Sequence, residues 1–230
     1  MTIVLSFVFV SCNDDKEKDE PVTLEELGQG EYVDLGLPSG TLWATRNIGA
    51  KSPEECGDYF SWGETAPKDH YGWSAYKWCK DGSSKMTKYN ASSDNGTVDN
   101  KTELDPEDDA AYVNWGPLWR MPSMEQQAEL QRYCTWRWTS INGMNGQLVT
   151  GPNGVSLFLP VAGGFCYSPA SDFNFASLGS NGFYWSRTLD SNNSFRAWEM
   201  DMFSGVKGGC SRNSYRCSGS TVRAVRVPQN

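Results

Sequence analysis

The chain has 230 residues, 28 acidic against 20 basic side chains, a net charge of −8 and a single histidine, His70. That balance speaks against a nucleic-acid partner, which needs a basic face, and one histidine in a polar loop leaves little room for histidine-based catalysis. Ten Trp, ten Tyr and ten Phe stand beside 23 Gly, the composition of a globular domain built from short aromatic strands and glycine-rich loops.

The chain opens MTIVLSFVFVSC. Its apolar run is too short for a membrane span, which needs roughly 20 apolar residues, and fits the apolar stretch of a secretory signal. No Lys or Arg precedes the run. FVSC resembles a bacterial lipobox, which makes residues 1–11 the expected signal peptide and Cys12 the expected acylated residue. NDDKEKDE follows, and residues 12–28 are expected to be a solvated acidic tether, because so charged and aromatic-free a stretch cannot pack. An acidic run directly behind the lipid cysteine resembles the signal that places Bacteroidetes lipoproteins on the outer face of the outer membrane. The lipid anchor is then the expected membrane contact, and residues 29–230 are the expected folded domain.

EYVDLGLPSGTLWATRNIGA reads as two short strands around LPSG. Ser52, Pro53 and Glu55 take the N-cap, N1 and N3 positions of an expected one-turn helix, and DYFSW returns as strand. Residues 66–104 are loop-like. DPEDDAAYVNWG predicts a second helix capped by Asp105 with Pro106 at N1. The third is the clearest, with Ser123 as cap, Gln126 closing the box, and Gln127, Leu130 and Cys134 on one face. Beyond it WRWTSI, QLVTG, VSLFLPVAG, GFYWSRTL, RAWEMDMF and TVRAVRV read as strands, with SLFLPVAG the expected central buried one. Helices early and strands late predict an α+β domain.

EYVDLGLPSGTLWA, GDYFSWGET, DDAAYVNWGPLWRMPS, FLPVAGG, GFYWSRT and SGSTVRAVRV, in this order, resemble the Fibrobacter succinogenes major paralogous domain of Bacteroidetes lipoproteins. The resemblance covers about residues 31–227. It implies a C-type-lectin-like fold, with two main helices on twisted antiparallel sheets and long loops presenting a binding surface. It implies no particular ligand.

Enzymatic signatures are missing: there is no GxSxG, HExxH or GxxxxGK[ST] segment. Glu54–Glu55 and Asp108–Asp109 sit where helix dipoles explain paired acids, and no catalytic residue is expected. The EPN, QPD and WND signatures of calcium-dependent lectins are absent, and so is the RGGSW-type block of formylglycine-generating oxidases, which leaves an oxidase relative as a distant alternative. No metal or cofactor is expected. Six cysteines follow Cys12 (Cys56, Cys79, Cys134, Cys166, Cys210 and Cys217), none spaced as CxxC; their pairing is open, with Cys210–Cys217 the first choice. Trp43, Trp62, Trp115, Trp119, Trp185 and Trp198 read as core, leaving Trp73, Trp78, Trp136 and Trp138 as candidates for exposure.

From Arg187 onward the chain carries seven basic and three acidic residues, against a net −12 over the rest. A basic region on an acidic protein points to a binding face. In RAWEMDMF, Trp198, Met200 and Met202 are expected to face the core, with Glu199, Asp201 and Phe203 facing out. GGCSRNSYRCSGS, residues 208–220, lacks every large aliphatic residue and reads as an exposed loop of paratope-like composition. It also lacks Lys, Glu, Gln, Met and Trp, the types that adenine-directed retroelement diversification of AAC codons cannot produce. Glu199 and Lys207 are outside that set, so such diversification could not cover the whole face. The expected ligand-binding residues are Arg187, Asp190, Asn193, Arg196, Glu199, Asp201, Phe203, Arg212, Asn213 and Tyr215, all expected to be exposed. The expected partner is a protein or a glycan; a structural role, as in a fimbrial tip or surface assembly, is the alternative.

Overall fold

In the computed structural model, which describes residues 31–82, 85–168, 171–206 and 208–226, the aromatic segments form short antiparallel strands around two helices. Cys12, the signal peptide and the tether expected over residues 12–28 lie outside the described residues. The elements are β1 (Tyr32–Asp34), β2 (Leu42–Ala44), α1 (Ala110–Trp115), α2 (Met124–Tyr133), β3 (Thr135–Ile141), β4 (Met144–Thr150), β5 (Ser156–Pro160), β6 (Gly164–Ser168), β7 (Ser171–Ala176), β8 (Asn181–Leu189), β9 (Arg196–Phe203), β10 (Cys210–Tyr215) and β11 (Val225–Arg226). They pair as β1-β2-β11, β3-β4-β5, β6-β7 and β10-β9-β8. This is a mixed α+β architecture, mostly antiparallel. Among the described residues no helix is long and apolar enough to cross a membrane.

The helix starts follow from their caps. Ser123 Oγ accepts from Gln126 N at 3.2 Å while Gln126 Oε1 accepts from Ser123 N at 2.9 Å, the reciprocal box expected for α2. Gln127 and Leu130 face inward from it and Cys134 is half-buried at its end. For α1 the cap is Asp109, not Asp105. Asp109 Oδ1 accepts from Ala111 N and Tyr112 N, whereas Asp105 precedes a 3₁₀ turn over Pro106–Asp108 and makes no capping bond. The helix expected at Ser52 does not form: only turns follow, and Glu55 Oε2 accepts from Lys51 N. Gly57, at φ 71°, reverses the chain there before a helical turn can propagate.

Strand alternation sorts side chains into two cores. Trp43, Tyr184 and Val225 point into one, with Leu130, Val149, Leu157, Met200 and Met202. Their neighbours Ala44, Trp185 and Ala224 point into the other, with Phe60, Trp62, Trp119 and Val222. β5 is wholly buried, as expected, but it lies at the end of its ladder, not its centre. Apolar composition reports burial and says nothing of hydrogen-bond order. Trp43, Trp62, Trp119 and Trp185 are core residues, while Trp115 and Trp198 are only half-buried. Trp73, Trp78, Trp136 and Trp138 are half-buried too, so none of the four candidates stands fully exposed.

The end of the chain departs most from expectation. Residues 210–215 are not a loop; they form β10, paired residue by residue with β9. Residues 216–225 are buried throughout and run as a seam between the sheets. Along the seam, Trp62 N donates to Arg216 O, Phe60 pairs with Ser220, Phe165 with Gly219, Tyr184 with Thr221 and Ala44 N donates to Ala224 O. Only Val225 and Arg226 of TVRAVRV form strand; Phe60 of DYFSW enters only a single bridge. Gly219 is required by close approach: a Cβ there would lie 2.6 Å from the Tyr71 ring. Tyr71 in turn stacks on Phe165, with ring centroids 4.4 Å apart.

Candidate functional site

β9 and β10 build the site. Their register sets Arg212 opposite Glu199 and Cys210 opposite Asp201, while β8 sets Trp185 and Phe183 opposite the same two acids. Opposed residues share a face, so Phe183, Trp185, Glu199, Asp201 and Arg212 lie together on one side of this sheet. Met200 and Met202 occupy the other side, as the alternation predicts. The expectation that Glu199 and Asp201 face solvent is wrong: they are 2% and 0% exposed. Their parity is as predicted, but that side is covered by β6 and by the seam rather than by water.

Polar groups from the seam and β10 compensate the buried acids. Ser214 Oγ donates to Glu199 Oε1, and Ser220 Oγ to Glu199 Oε2 at 2.9 Å. Arg212 Nη1 lies 3.1 Å from Asp201 Oδ2, while Asp201 Oδ1 has no donor among the described residues. Burial, reinforced by the Asp201 charge, pushes Glu199 up to about 8 against the pull of the two serine hydroxyls and Arg212. Burial pushes Asp201 up to about 6, opposed by Arg212 and by a hydrogen bond with Glu199. Both carboxyls are thus raised, and the pair tends to retain a proton at pH values where free carboxylates are ionised.

Glu199 opens onto a recess of ≈ 120 Å³. Phe183, Ser218 and Ser220 line its buried floor, Phe165 forms a wall, and Arg196, Arg212 and Tyr215 stand at the rim. The Arg196 guanidinium lies 4.2 Å from the Tyr215 ring centroid, and its Nη1 donates to Asn213 O at 3.0 Å. Asn213 Nδ2 then donates to Asp190 Oδ2 at 2.7 Å.

Of the ten residues expected to form the face, Arg196, Glu199, Arg212 and Tyr215 line this recess. Asp201 backs it through Arg212, and Asn213 and Asp190 brace Arg196. Asp190 is buried at 4% exposure, a second correction, because it is drawn into its own turn and accepts from Asn192 N. Only Arg212 of the ten is exposed; Arg187, Asn193, Arg196, Phe203, Asn213 and Tyr215 are half-buried. Three stand apart from the recess. Arg187 binds Glu103 and Gln126, Asn193 closes a turn onto Phe195 N, and Phe203 ends β9 opposite Asn181. Phe165, Phe183, Ser214, Ser218 and Ser220 join the site without having been expected there. Phe183 shares its parity with Trp185 and could have been found that way; the serines carry no sequence signal of their own.

Cys210 and Cys217 cannot pair. β10 holds Cys210 roughly 16 Å from Tyr215 at about 3.3 Å per residue, so the turn that follows leaves Cys217 beyond the ~7 Å Cα limit of a disulfide. No disulfide joins the described cysteines. Burial raises the Cys166 thiol at the recess, so it is held protonated.

Other places could also hold a ligand. Asp105, Glu107 and Asp108 come within 4.8 Å of one another, a spacing a cation could use. Lys88 already lies 2.6 Å from both Asp105 and Asp108, with Lys101 at 2.5 Å from Asp105 and Lys77 at 3.1 Å from Asp108. Asp105 is held low by Lys101 and Lys88, and Asp108 is low despite its burial through Lys88, Tyr89 and Lys77. Ammonium groups thus occupy the place a cation would take. The melting temperature is expected to stay unchanged when calcium or EDTA is added; a calcium-dependent rise would reveal a site that binds only the folded state. A second recess of ≈ 170 Å³ is lined by Glu31, Arg46, Trp115 and Trp119, and its acid, Glu31, is exposed.

Comparison with protein-family models, with curated proteins and with solved structures finds no match to this chain.

Proposed function

We propose that the protein is a cell-surface lipoprotein of the Fibrobacter succinogenes major paralogous domain family, with a C-type-lectin-like fold, whose β9–β10 face binds a protein or glycan ligand. The observation that carries this reading is the recess itself. A concave site with a buried carboxyl, several hydroxyls, two arginines and a half-exposed tyrosine is an arrangement for recognition. In the same reading Cys12 carries the lipid, and the protein is not an enzyme. If the chain is diversified, variation is confined to β10, because Arg216 is fully buried and Gly219 abuts Tyr71.

The test is a glycan and protein array probed with the purified protein and two variants. Tyr215→Ala is expected to weaken the captured ligand by about 2 kcal/mol or more, since aromatic and arginine side chains dominate interface energetics. Phe203→Ala, at the far end of β9, is expected to leave binding intact. Equal binding by wild type and Tyr215→Ala would remove this face from consideration. Failure of every glycan and protein to bind would favour the structural role.

A further inference from the structure

Resting on that reading, we infer that the recess takes the carboxylate of an acidic sugar residue. The observations are charge, hydroxyl supply and size. Arg196 comes from β9 and Arg212 from β10, and both stand at the rim of one small concavity. Arg212 gives a single nitrogen to Asp201 and its side chain is 58% exposed, which leaves Nε and Nη2 for a ligand. Arg196 engages only Nη1, on Asn213. Planar guanidinium groups match a carboxylate with paired donors, a fit that an ammonium cannot reproduce.

Asp201 pairs with Arg212 and balances its charge, and burial raises the Glu199 carboxyl above its ordinary range. Arg196 has no carboxylate partner among the described residues, so one unbalanced guanidinium stands at the recess of a protein whose net charge is −8, an arrangement that draws anions to one spot.

A carboxylate alone would fit an acidic peptide equally well; the hydroxyls favour a sugar. Ser214 and Ser220 each donate to Glu199, so their oxygens are turned to accept. Acceptors of this kind suit the O–H donors that a sugar ring carries around its carboxylate. The half-buried rings of Phe165 and Tyr215 flank the opening, one face of each covered by Tyr71 and by Arg196, and present their remaining apolar edges to a sugar ring. At ≈ 120 Å³ the recess admits the acidic end of one residue and not a whole oligosaccharide.

Saturation-transfer NMR and calorimetry with methyl galacturonoside, methyl galactoside and a glutamate-rich peptide test the inference. The acidic glycoside is expected to bind at least tenfold more tightly than its neutral parent. Arg212→Lys, which keeps the charge beside Asp201 but loses the fork, is expected to weaken it about fivefold or more. Arg196→Gln should weaken it similarly, and circular dichroism would confirm that both variants fold. Equal affinity for the two glycosides, tighter binding of the peptide, or indifference to Arg196→Gln would each overturn the acidic-sugar assignment. If a neutral glycan or a protein binds instead and Tyr215→Ala abolishes it, the binding face stands and only the ligand class falls. If nothing binds there, both fall.

Discussion

Arg216→Ala is expected to cost about 5 kcal/mol or more, enough to leave the chain largely unfolded given the usual total of about 5–15 kcal/mol. Arg216 is 0% exposed and sits among the rings of Trp62, Tyr76 and Tyr89, with its guanidinium 4.9, 5.3 and 5.7 Å from their centroids. Its Nε donates to Tyr76 Oη at 2.8 Å, Nη1 to Ser194 O at 2.8 Å and Tyr89 O at 3.1 Å, and Nη2 to Lys88 O at 3.2 Å. These partners belong to the long 66–104 excursion and to the turn before β9. One side chain thus ties the polar excursion to the C-terminal seam. Truncation would strand buried carbonyls, each costing about 1–3 kcal/mol, and leave a cavity among aromatics. Arg216→Met separates the two contributions, because it fills most of the volume and donates nothing. Urea denaturation of both variants gives the answer. A Met variant within about 1 kcal/mol of wild type would show that packing, not the hydrogen bonds, holds this residue in place.

The same residue shows where the sequence is readable and where it is not. Apolar and aromatic periodicity locates most strands, the box at Ser123 locates α2, and the alternation in RAWEMDMF puts Met200 and Met202 on the core side. Each is a local signal. Burial of the opposite side of β9 is not local: it depends on Phe165 and Ser220 arriving from elsewhere in the chain. Residues 208–220 have no apolar pattern to read, so they resemble a loop. An edge strand needs only backbone partners, and β9 supplies them to Cys210–Tyr215. The burial of Arg216, Glu199 and Asp201 is hidden for a related reason. Hydropathy reports what a charged side chain prefers when alone, while its burial here rests on carbonyls, hydroxyls and a guanidinium brought by other segments.

The Glu199–Asp201 pair makes stability depend on pH in a direction opposite to that of most carboxylates. In the unfolded chain Glu199 titrates near its ordinary 4.5, whereas in the fold it is pushed up to about 8. Between these values the folded state holds more protons than the unfolded one, so stability falls as pH rises. The contribution is complete below pH 4.5, is lost progressively up to about 8 and changes little beyond. Asp201 acts the same way over a lower window, from 3.8 to about 6. Asp99, Asp105 and Asp108, all held below their ordinary value, act in the opposite sense and cost stability only as pH drops below about 4. Melting temperature is therefore expected to peak near pH 4 and decline toward pH 8. The loss of stability over that range amounts to several kcal/mol, at about 1.4 kcal/mol for each tenfold change in proton affinity. The groups around the pair are Arg212, Cys210 and Cys166, and both thiols are raised and neutral throughout this window. Glu199→Gln isolates the cause, because an amide keeps an acceptor for Ser220 and a donor for Asp201 but cannot ionise. In that variant the decline between pH 6 and pH 8 is expected to vanish, with stability at pH 8 above wild type. A decline of equal size in both proteins would mean that the proton held in the fold at neutral pH is not on Glu199.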